Sequence, residues 1–300
     1  MNKLFQKTNA YWVKYSEYEY RHDNGILYLT PKPMAVPSVY DPMKEAETLV
    51  VDALNVGRLA MKRGDEDELK EAILGFVTRY GLLGFMTGLP TTPEFVDYDT
   101  VYLPKNHFIR EETMTTHDYL SLFFPFGKPD IYKNKETSQW NVSSDDHADR
   151  KVLAVAMTFA DEPMAVGMSL LPIYAERYDW LTTQFRDWAF MLVSSFLYYQ
   201  EKDIDNVTRE LYRRGVSAFG GKAPTYHVSL YDDKPTIVWD FHSLLLTIQT
   251  MFGFALTDES RPLRICKHCN MAFIADSMKS VFCSHECKNR YNVNKSRGKE

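Results

Sequence analysis

The sequence predicts an α+β chain in which a mostly helical body with small β-hairpins precedes a short C-terminal module organised by four cysteines. Three observations carry that prediction. Several long stretches repeat apolar residues at helical spacing. Two others, rich in β-branched and aromatic residues, centre on turn-forming residues. All four cysteines of the 300-residue chain fall between positions 266 and 287.

The opening segment "WVKYSEYEYRHDNGILYLTP" is rich in Tyr, Val, Ile and Leu, and the "DNG" at its centre is the chemistry of a two-residue hairpin turn. A proline-punctuated connection, "PKPMAVPSVYDPM", leads to a helix that Asp41 can cap and whose first position suits Pro42. Ala46, Leu49, Ala53, Leu54 and Ala60 then recur near helical spacing, and Gly64 offers a stop. The next helix, "DEDELKEAILGFVTRYGLLGF", has acids in its first turn, where the helix dipole favours them, and Leu69, Ala72, Ile73, Phe76, Val77 and Tyr80 on one face. Residues 87–112 read as irregular with a short strand at 99–103, and short helices are expected around "THDYLSLFF" and "HADRKVLAVAMTFA". Between Ile173 and Gln200 the stripe Trp180, Leu181, Phe185, Trp188, Leu192 and Phe196 predicts the longest helix, with the stripe in the core. "TYHVSLYDDKPTIVWDF" predicts a second hairpin turning at "DDKP", and "HSLLLTIQTMFGFAL" a helix ending at the polar "TDESRP". Residues 1–260 are therefore expected to form the body and 261–300 the cysteine module.

Composition excludes several classes. With 45% hydrophobic and 14% aromatic residues the chain has ample material for a core, so disorder is not expected for most of it. The N-terminus lacks the apolar stretch of about 7 to 15 residues that a secretory signal requires. No apolar run reaches the roughly 18 residues needed to span a bilayer, and the nearest, "WAFMLVSSFLYY", is interrupted by Ser194 and Ser195. The expectation is a cytoplasmic protein with no membrane partner, in a compartment where reduced thiols serve as metal ligands more readily than as disulfides. The net charge of -5 conceals an asymmetry: residues 261–300 hold nine Lys or Arg against three acids, so they carry +6 and the other 260 residues -11.

The cysteines are spaced Cys266-x2-Cys269, thirteen residues, then Cys283-x3-Cys287. Two close pairs joined by a short loop let four thiolates converge tetrahedrally on one ion, and Zn2+ favours sulfur in that geometry. Iron–sulfur ligation is the alternative, without further cluster signatures to support it. His268 lies inside the first pair and His285 inside the second, so either could replace a cysteine. Four thiolates already complete a closed structural site, which leaves both histidines outside it and no open position for a hydrolytic water. "LRICKHCNMAF" reads as strand, tight turn, strand, and "CSHECKNRYNVNK" as a helix with Cys283 near its start and Cys287 one turn on. Phe273 and Phe282 are the natural apolar contacts of a unit too small to build its own core, so a structural Zn2+ is expected to carry its stability. The fold class is thus α+β with a C-terminal four-cysteine zinc finger.

The run "LRICKHC…F…S…FCSHECKNRY" resembles the CGNR-type zinc finger, which has an L-R-x-C entry, a Phe and a Ser in the loop, an aromatic-Cys-Ser at the third ligand and Cys-Gly-Asn-Arg at the fourth. Here the last motif reads Cys287-Lys288-Asn289-Arg290, so Asn289 and Arg290 match and Lys288 replaces Gly. "FCSHEC" is also similar to the FCS class of treble-clef fingers. The resemblance covers about the last 40 residues. It implies a helical N-terminal domain of the kind called ABATE ahead of the finger, and a role in stress-related regulation of transcription.

Lys288, Arg290, Lys295, Arg297 and Lys299 follow the fourth ligand, with Tyr291 placed to pack or stack; together with Asn289 they are the candidate contacts to DNA. The alternative is a solvated, frayed terminus that is basic by chance. The acidic body would have to face away from DNA, which makes any binding modest and salt-sensitive. "SSDDHADR" packs Asp145, Asp146, His147 and Asp149 together, but Ser and Asp ahead of a helix are ordinary capping residues. "FGGK" at 219–222 lacks the spacing of a phosphate loop, and His107, His117, His227 and His242 stand singly in the sequence. No catalytic residue is assigned and no enzyme is expected. The leading expectation is a regulatory protein whose body senses a small-molecule or protein ligand while the finger contacts DNA. The alternative is an interaction module in which the finger is purely structural and the chain forms a homo-oligomer; an enzyme with its site in the body comes third.

Overall fold

The computed structural model describes residues 5, 7–62, 64–133, 140–143, 155, 163–200, 205–217, 219–277 and 279–297. Thr8–Asn9 (β1) and Trp12–Tyr15 (β2) precede a hairpin of Tyr18–Asp23 (β3) and Ile26–Pro31 (β4). Asp23 pairs with Ile26, which leaves Asn24 and Gly25 as the loop, at φ of 47° and 79°. Those left-handed angles are what an Asn-Gly pair supplies most easily, and the predicted turn is found. Pro37–Tyr40 (β5) is a strand that the surrounding prolines disguise. It pairs antiparallel with β2, and Pro37 takes its first position, where a strand tolerates a missing N–H.

The Asp41 carboxylate accepts the Met43 N–H at 3.0 Å, one 3-10 turn follows at Pro42–Glu45, and Ala46–Met61 (α1) continues it. Glu66–Tyr80 (α2) starts on Asp65, whose carboxylate accepts the Asp67 N–H at 2.9 Å, and buries Ile73, Phe76, Val77 and Tyr80 on the expected face. After the short Phe85–Gly88 (α3), Thr100–Tyr102 (β6) and Thr113–Thr115 (β7) pair across the irregular segment, and Thr116–Ser121 (α4) is capped by the Thr115 hydroxyl. Asp130–Lys133 (β8) and Trp140–Ser143 (β9) form another hairpin, followed by Pro163–Ser169 (α5). The helix expected at 147–160, Val155 excepted, and the group Asp145, Asp146, His147 and Asp149 lie outside the described residues.

The long helix, Tyr178–Gln200 (α6), starts later than the expected Ile173, because Glu176–Arg177 (β10) pair with β4 instead. Trp180, Leu181, Phe185, Trp188 and Leu192 are buried as expected, and Phe196 is half-buried. Asn206–Ser217 (α7) buries no side chain, and its Val207 and Leu211 are exposed. It begins on Asp205, whose carboxylate accepts the Val207 and Thr208 N–H groups at 2.9 and 3.0 Å. Thr225–Tyr231 (β11) and Lys234–Asp240 (β12) form the second predicted hairpin, with Asp232 and Asp233 at φ of 50° and 58°. β1 adds to β12 in parallel, giving the order β1-β12-β11. Leu244–Thr257 (α8), Leu263–Ile265 (β13), Ala272–Ile274 (β14) and His285–Ser296 (α9) complete the chain, and the α+β class holds. Among the described residues no helix is long and apolar enough to cross a membrane.

These elements fall into two compact units interleaved in sequence, one of residues 1–45, 71–181 and 222–247, the other of 46–70, 182–221 and 248–300. The first unit is organised around Glu176, which is fully buried. Its Oε1 accepts the Gly84 and Phe85 N–H groups at 2.7 and 2.9 Å and the Tyr174 hydroxyl at 2.8 Å, while its Oε2 accepts the Leu83 N–H at 2.9 Å. Burial pushes this carboxyl above its ordinary range, against the pull of the Phe85 N–H, the Tyr174 hydroxyl and the Leu83 and Gly84 N–H groups. Gly84 itself sits at φ 76°, and a Cβ there would come within 2.8 Å of the Trp12 ring, so the loop needs both the glycine and the carboxylate. Around it Phe85, Phe108, Phe123, Tyr174 and Trp180 pack edge to face, tilted or stacked.

Replacing Glu176→Gln keeps the shape but turns one terminal acceptor into a donor that faces N–H groups. The expected loss is about 2–4 kcal/mol of unfolding free energy, read from urea denaturation of the full chain. A variant as stable as the natural protein would show that the carboxylate does not hold the 83–85 loop.

Candidate metal centre

The residues that bring the cysteines together are backbone-directed. β13 and β14 pair with Ile265 opposite Ala272, and the chain between them turns tightly enough for the Cys266 N–H to donate to the Met271 carbonyl at 2.9 Å. Asn270, at φ 59°, supplies the left-handed residue of the turn and donates its N–H to the Cys266 carbonyl at 2.9 Å. Lys267 N–H donates to the Val281 carbonyl at 3.0 Å, which ties this knuckle to the loop ahead of the third cysteine. Ser284 then caps α9: its hydroxyl accepts the Cys287 N–H at 3.2 Å, so Cys287 lies in the first turn with its sulfur beside that of Cys283.

The four sulfurs converge to within 4.8 Å of one another. The Cys269–Cys283 and Cys283–Cys287 sulfurs are 3.6 and 3.5 Å apart, and all four cysteines are free thiols. Ligands about 2.3 Å from a tetrahedral Zn2+ stand about 3.8 Å from each other, so the set fits such an ion with little adjustment, whereas a disulfide needs about 2.05 Å. Neither His268 nor His285 joins the converging group. Burial pushes the Cys266 thiol up, but the N–H groups of Cys269, Cys283 and His268 turned toward its sulfur outweigh this and bring it down to about 6. Burial and the neighbouring thiols push Cys283 up, and burial raises Cys269. One sulfur is thus prepared as an anion while Cys269 and Cys283 resist following it, which is the electrostatic condition that a bound dication relieves.

Helix α1 supports the site in the same unit. The Asn55 side chain accepts the Ala272 N–H at 2.7 Å and donates to the Ala272 carbonyl at 3.2 Å, as a neighbouring strand would. One turn on, the half-buried Arg58 has an Nε with no hydrogen-bond partner; burial pulls this guanidinium down and the charge of Cys269 holds it up. A cation desolvated beside the sulfurs is a second observation that fits a tetrathiolate centre, whose net charge with Zn2+ is -2. Arg261 pairs with Glu47 of α1, and Phe282 packs on Tyr291 with ring centroids 5.1 Å apart, so Tyr291 is engaged inside the module. No residue before Arg261 could be assigned to the site from spacing, since Asn55 and Ala272 are 217 positions apart.

Lys288, Asn289, Arg290, Lys295 and Arg297 are all exposed, and Lys299 lies outside the described residues. On α9 the half-buried Cys287, Tyr291 and Asn294 mark the inner face. Lys288 and Lys295, two turns apart, flank that face on one side; Arg290 and Arg297 flank it on the other. The outer crown holds Asn289, Asn292, Val293 and Ser296, all exposed and uncharged, and the exposed Glu286 lies two turns ahead of Val293 beside the arginine flank.

In the first unit the β11–β12 pairing assembles a polar group whose members look isolated in the sequence. His227 Nδ1 lies 2.6 Å from Asp240 Oδ2, Asn9 donates to Asp240 Oδ1 at 2.9 Å, and Thr225 Oγ1 lies 2.5 Å from His242 Nε2. Thr225 is the register partner of Asp240, with His227 two residues along the same face. Lys222 donates to the Gly88 and Leu89 carbonyls at 3.1 and 2.6 Å, and burial pulls its amine down to about 7. Strand alternation could have placed Thr225, His227 and Asp240 together; the lysine contact carries no local signal. No protein-family model, curated protein or solved structure matches the chain.

Asn55→Ala removes both hydrogen bonds to Ala272. The expected result is a drop in amide-exchange protection across 263–274 of about tenfold or more, corresponding to about 1.4 kcal/mol, with β11 and β12 unaffected. Unchanged protection at 263–274 would show that α1 does not brace the site.

Proposed function

We propose that Cys266, Cys269, Cys283 and Cys287 hold one structural Zn2+ and that the finger so closed binds DNA, making the chain a non-enzymatic regulatory protein whose body senses a small-molecule or protein ligand. The observation that carries the metal assignment is the convergence of four sulfurs within 4.8 Å. The ion supplies a cross-link between knuckle and helix; the residues do the rest. Backbone donors prepare Cys266, Ser284 sets the helix start, Asn55 holds β14 at Ala272, and the Arg58 cation lies within the field of Cys269.

The disposition of cations on α9 supports the nucleic-acid assignment. A helix lying in a major groove presents a polar crown to base edges and has a phosphate strand on either side. Asn289, Asn292 and Ser296 form such a crown, with Lys288 and Lys295 on one flank and Arg290 and Arg297 on the other. The match of Asn289 and Arg290 to the CGNR motif and the +6 charge of residues 261–300 point the same way. A second reading, in which the finger is a structural or interaction element alone, draws its support from the grip of Asn55 on Ala272.

Purified protein is expected to contain one Zn2+ per chain by elemental analysis, and chelation to melt 261–300 selectively; absence of stoichiometric zinc would overturn the metal assignment. With four cations meeting phosphates, affinity for a random duplex should fall roughly a hundredfold between about 50 and 200 mM salt. The variant K288Q/R290Q/K295Q/R297Q should lose binding while retaining its zinc. Zinc with no duplex binding selects the second reading, and binding indifferent to the variant excludes α9 as the contact.

A further inference from the structure

We propose that β11 is a dimerisation edge, pairing antiparallel with β11 of a second copy about a twofold axis at Val228. Among the described residues the sheet order β1-β12-β11 leaves β11 at the margin, and its register with β12 runs without a bulge from Thr225 to Tyr231. Between those ends the strand holds no proline, acid, lysine or arginine, the devices by which sheet edges are ordinarily protected.

The direction of the backbone groups follows from the hairpin. Tyr231 and Lys234 flank the two-residue loop and form its closing hydrogen-bonded pair, so Thr225, His227, Ser229 and Tyr231 bond to β12. Tyr226, Val228 and Leu230 therefore turn their N–H and C=O groups to the outer edge. The same three side chains share a face with Trp239, Ile237 and Pro235, their register partners. That face is apolar throughout, and it is most exposed on the marginal strand: 59%, 63% and 69% for Tyr226, Val228 and Leu230, against 50% for Ile237. Residues on β12 have lateral neighbours in β11; those on β11 lack the equivalent.

A second copy fits this edge because the strand's pattern is palindromic. With Val228 opposite its own equivalent, Tyr226 faces Leu230, and His227 faces Ser229, so apolar meets apolar and polar meets polar with no like charges opposed. Each copy then donates three N–H groups and accepts three. The contact is one strand wide, below the roughly 800 Å2 per partner of a standard interface, so association belongs in the micromolar range.

Sedimentation of the full chain from low to several hundred micromolar should show a monomer–dimer equilibrium, with amide exchange at Tyr226, Val228 and Leu230 slowing at least tenfold as the dimer forms. Val228→Lys, which sets two ammonium groups against each other at the axis, should give a monomer throughout with unchanged circular dichroism. Ile237→Lys, on the same face but the inner strand, should dimerise like the natural chain. A natural chain that stays monomeric overturns the proposal, and so does a dimer that Ile237→Lys abolishes or that leaves the three amides unprotected, since those outcomes indicate stacked faces or another surface.

Discussion

Four sulfur atoms held within 4.8 Å of one another are the constraint on which the C-terminal module depends. Among the described residues between Arg261 and Arg297 the buried side chains are Cys266, Ala272 and Ala275, too little apolar surface to offset the conformational entropy of ordering the segment. Two-residue and three-residue knuckles do not converge by hydrophobic collapse. They converge because backbone turns and a helix cap aim the thiols at a common point, and the geometry is worth holding only where a shared ion compensates their mutual repulsion.

The first unit solves a similar problem with the opposite charge balance. Glu176 is an anion placed in an apolar setting and met by four donors, three of them N–H groups at the start of a short helix that would otherwise be unsatisfied. The carboxylate and the loop are each costly alone and tolerable together. This explains why a two-residue strand interrupts the beginning of the long helix: pairing Glu176 with Leu29 fixes the direction of its side chain before α6 begins. Lys222 is a third case, an amine whose burial is matched by two carbonyls from the end of α3.

Local grammar explains what the sequence made legible. Asn24-Gly25, the acids of α2, the Asp41 cap and the cysteine spacing each act within a few residues of themselves, and each produced the expected element. What escaped is set by partners remote in the chain. Pro37–Tyr40 is a strand because β2 is there to pair with it, β10 displaces the first turn of a strong helical pattern because β4 offers a ladder, and Asn55 acts as a strand edge for a residue 217 positions away. Helix α7 escaped for another reason: its apolar positions, Val207 and Leu211, are few, set among charged residues and exposed.

The arrangement of charge on α9 also bears on how such a finger could choose a target. A basic stripe along one face would favour any phosphate backbone and would leave the helix free to slide and rotate against it. Cations on two flanks with no cation on the crown between them do otherwise, because both flanks reach phosphates only when the crown points inward. Asn289 and Asn292 would then meet base edges, and an asparagine amide makes its best paired contact with adenine. A metal held at Cys287 would fix the rotation of the helix about its own axis, so the same ion that stabilises the module would set which side chains face the groove. Under the proposed DNA binding, stability and readout would be coupled through one helix turn.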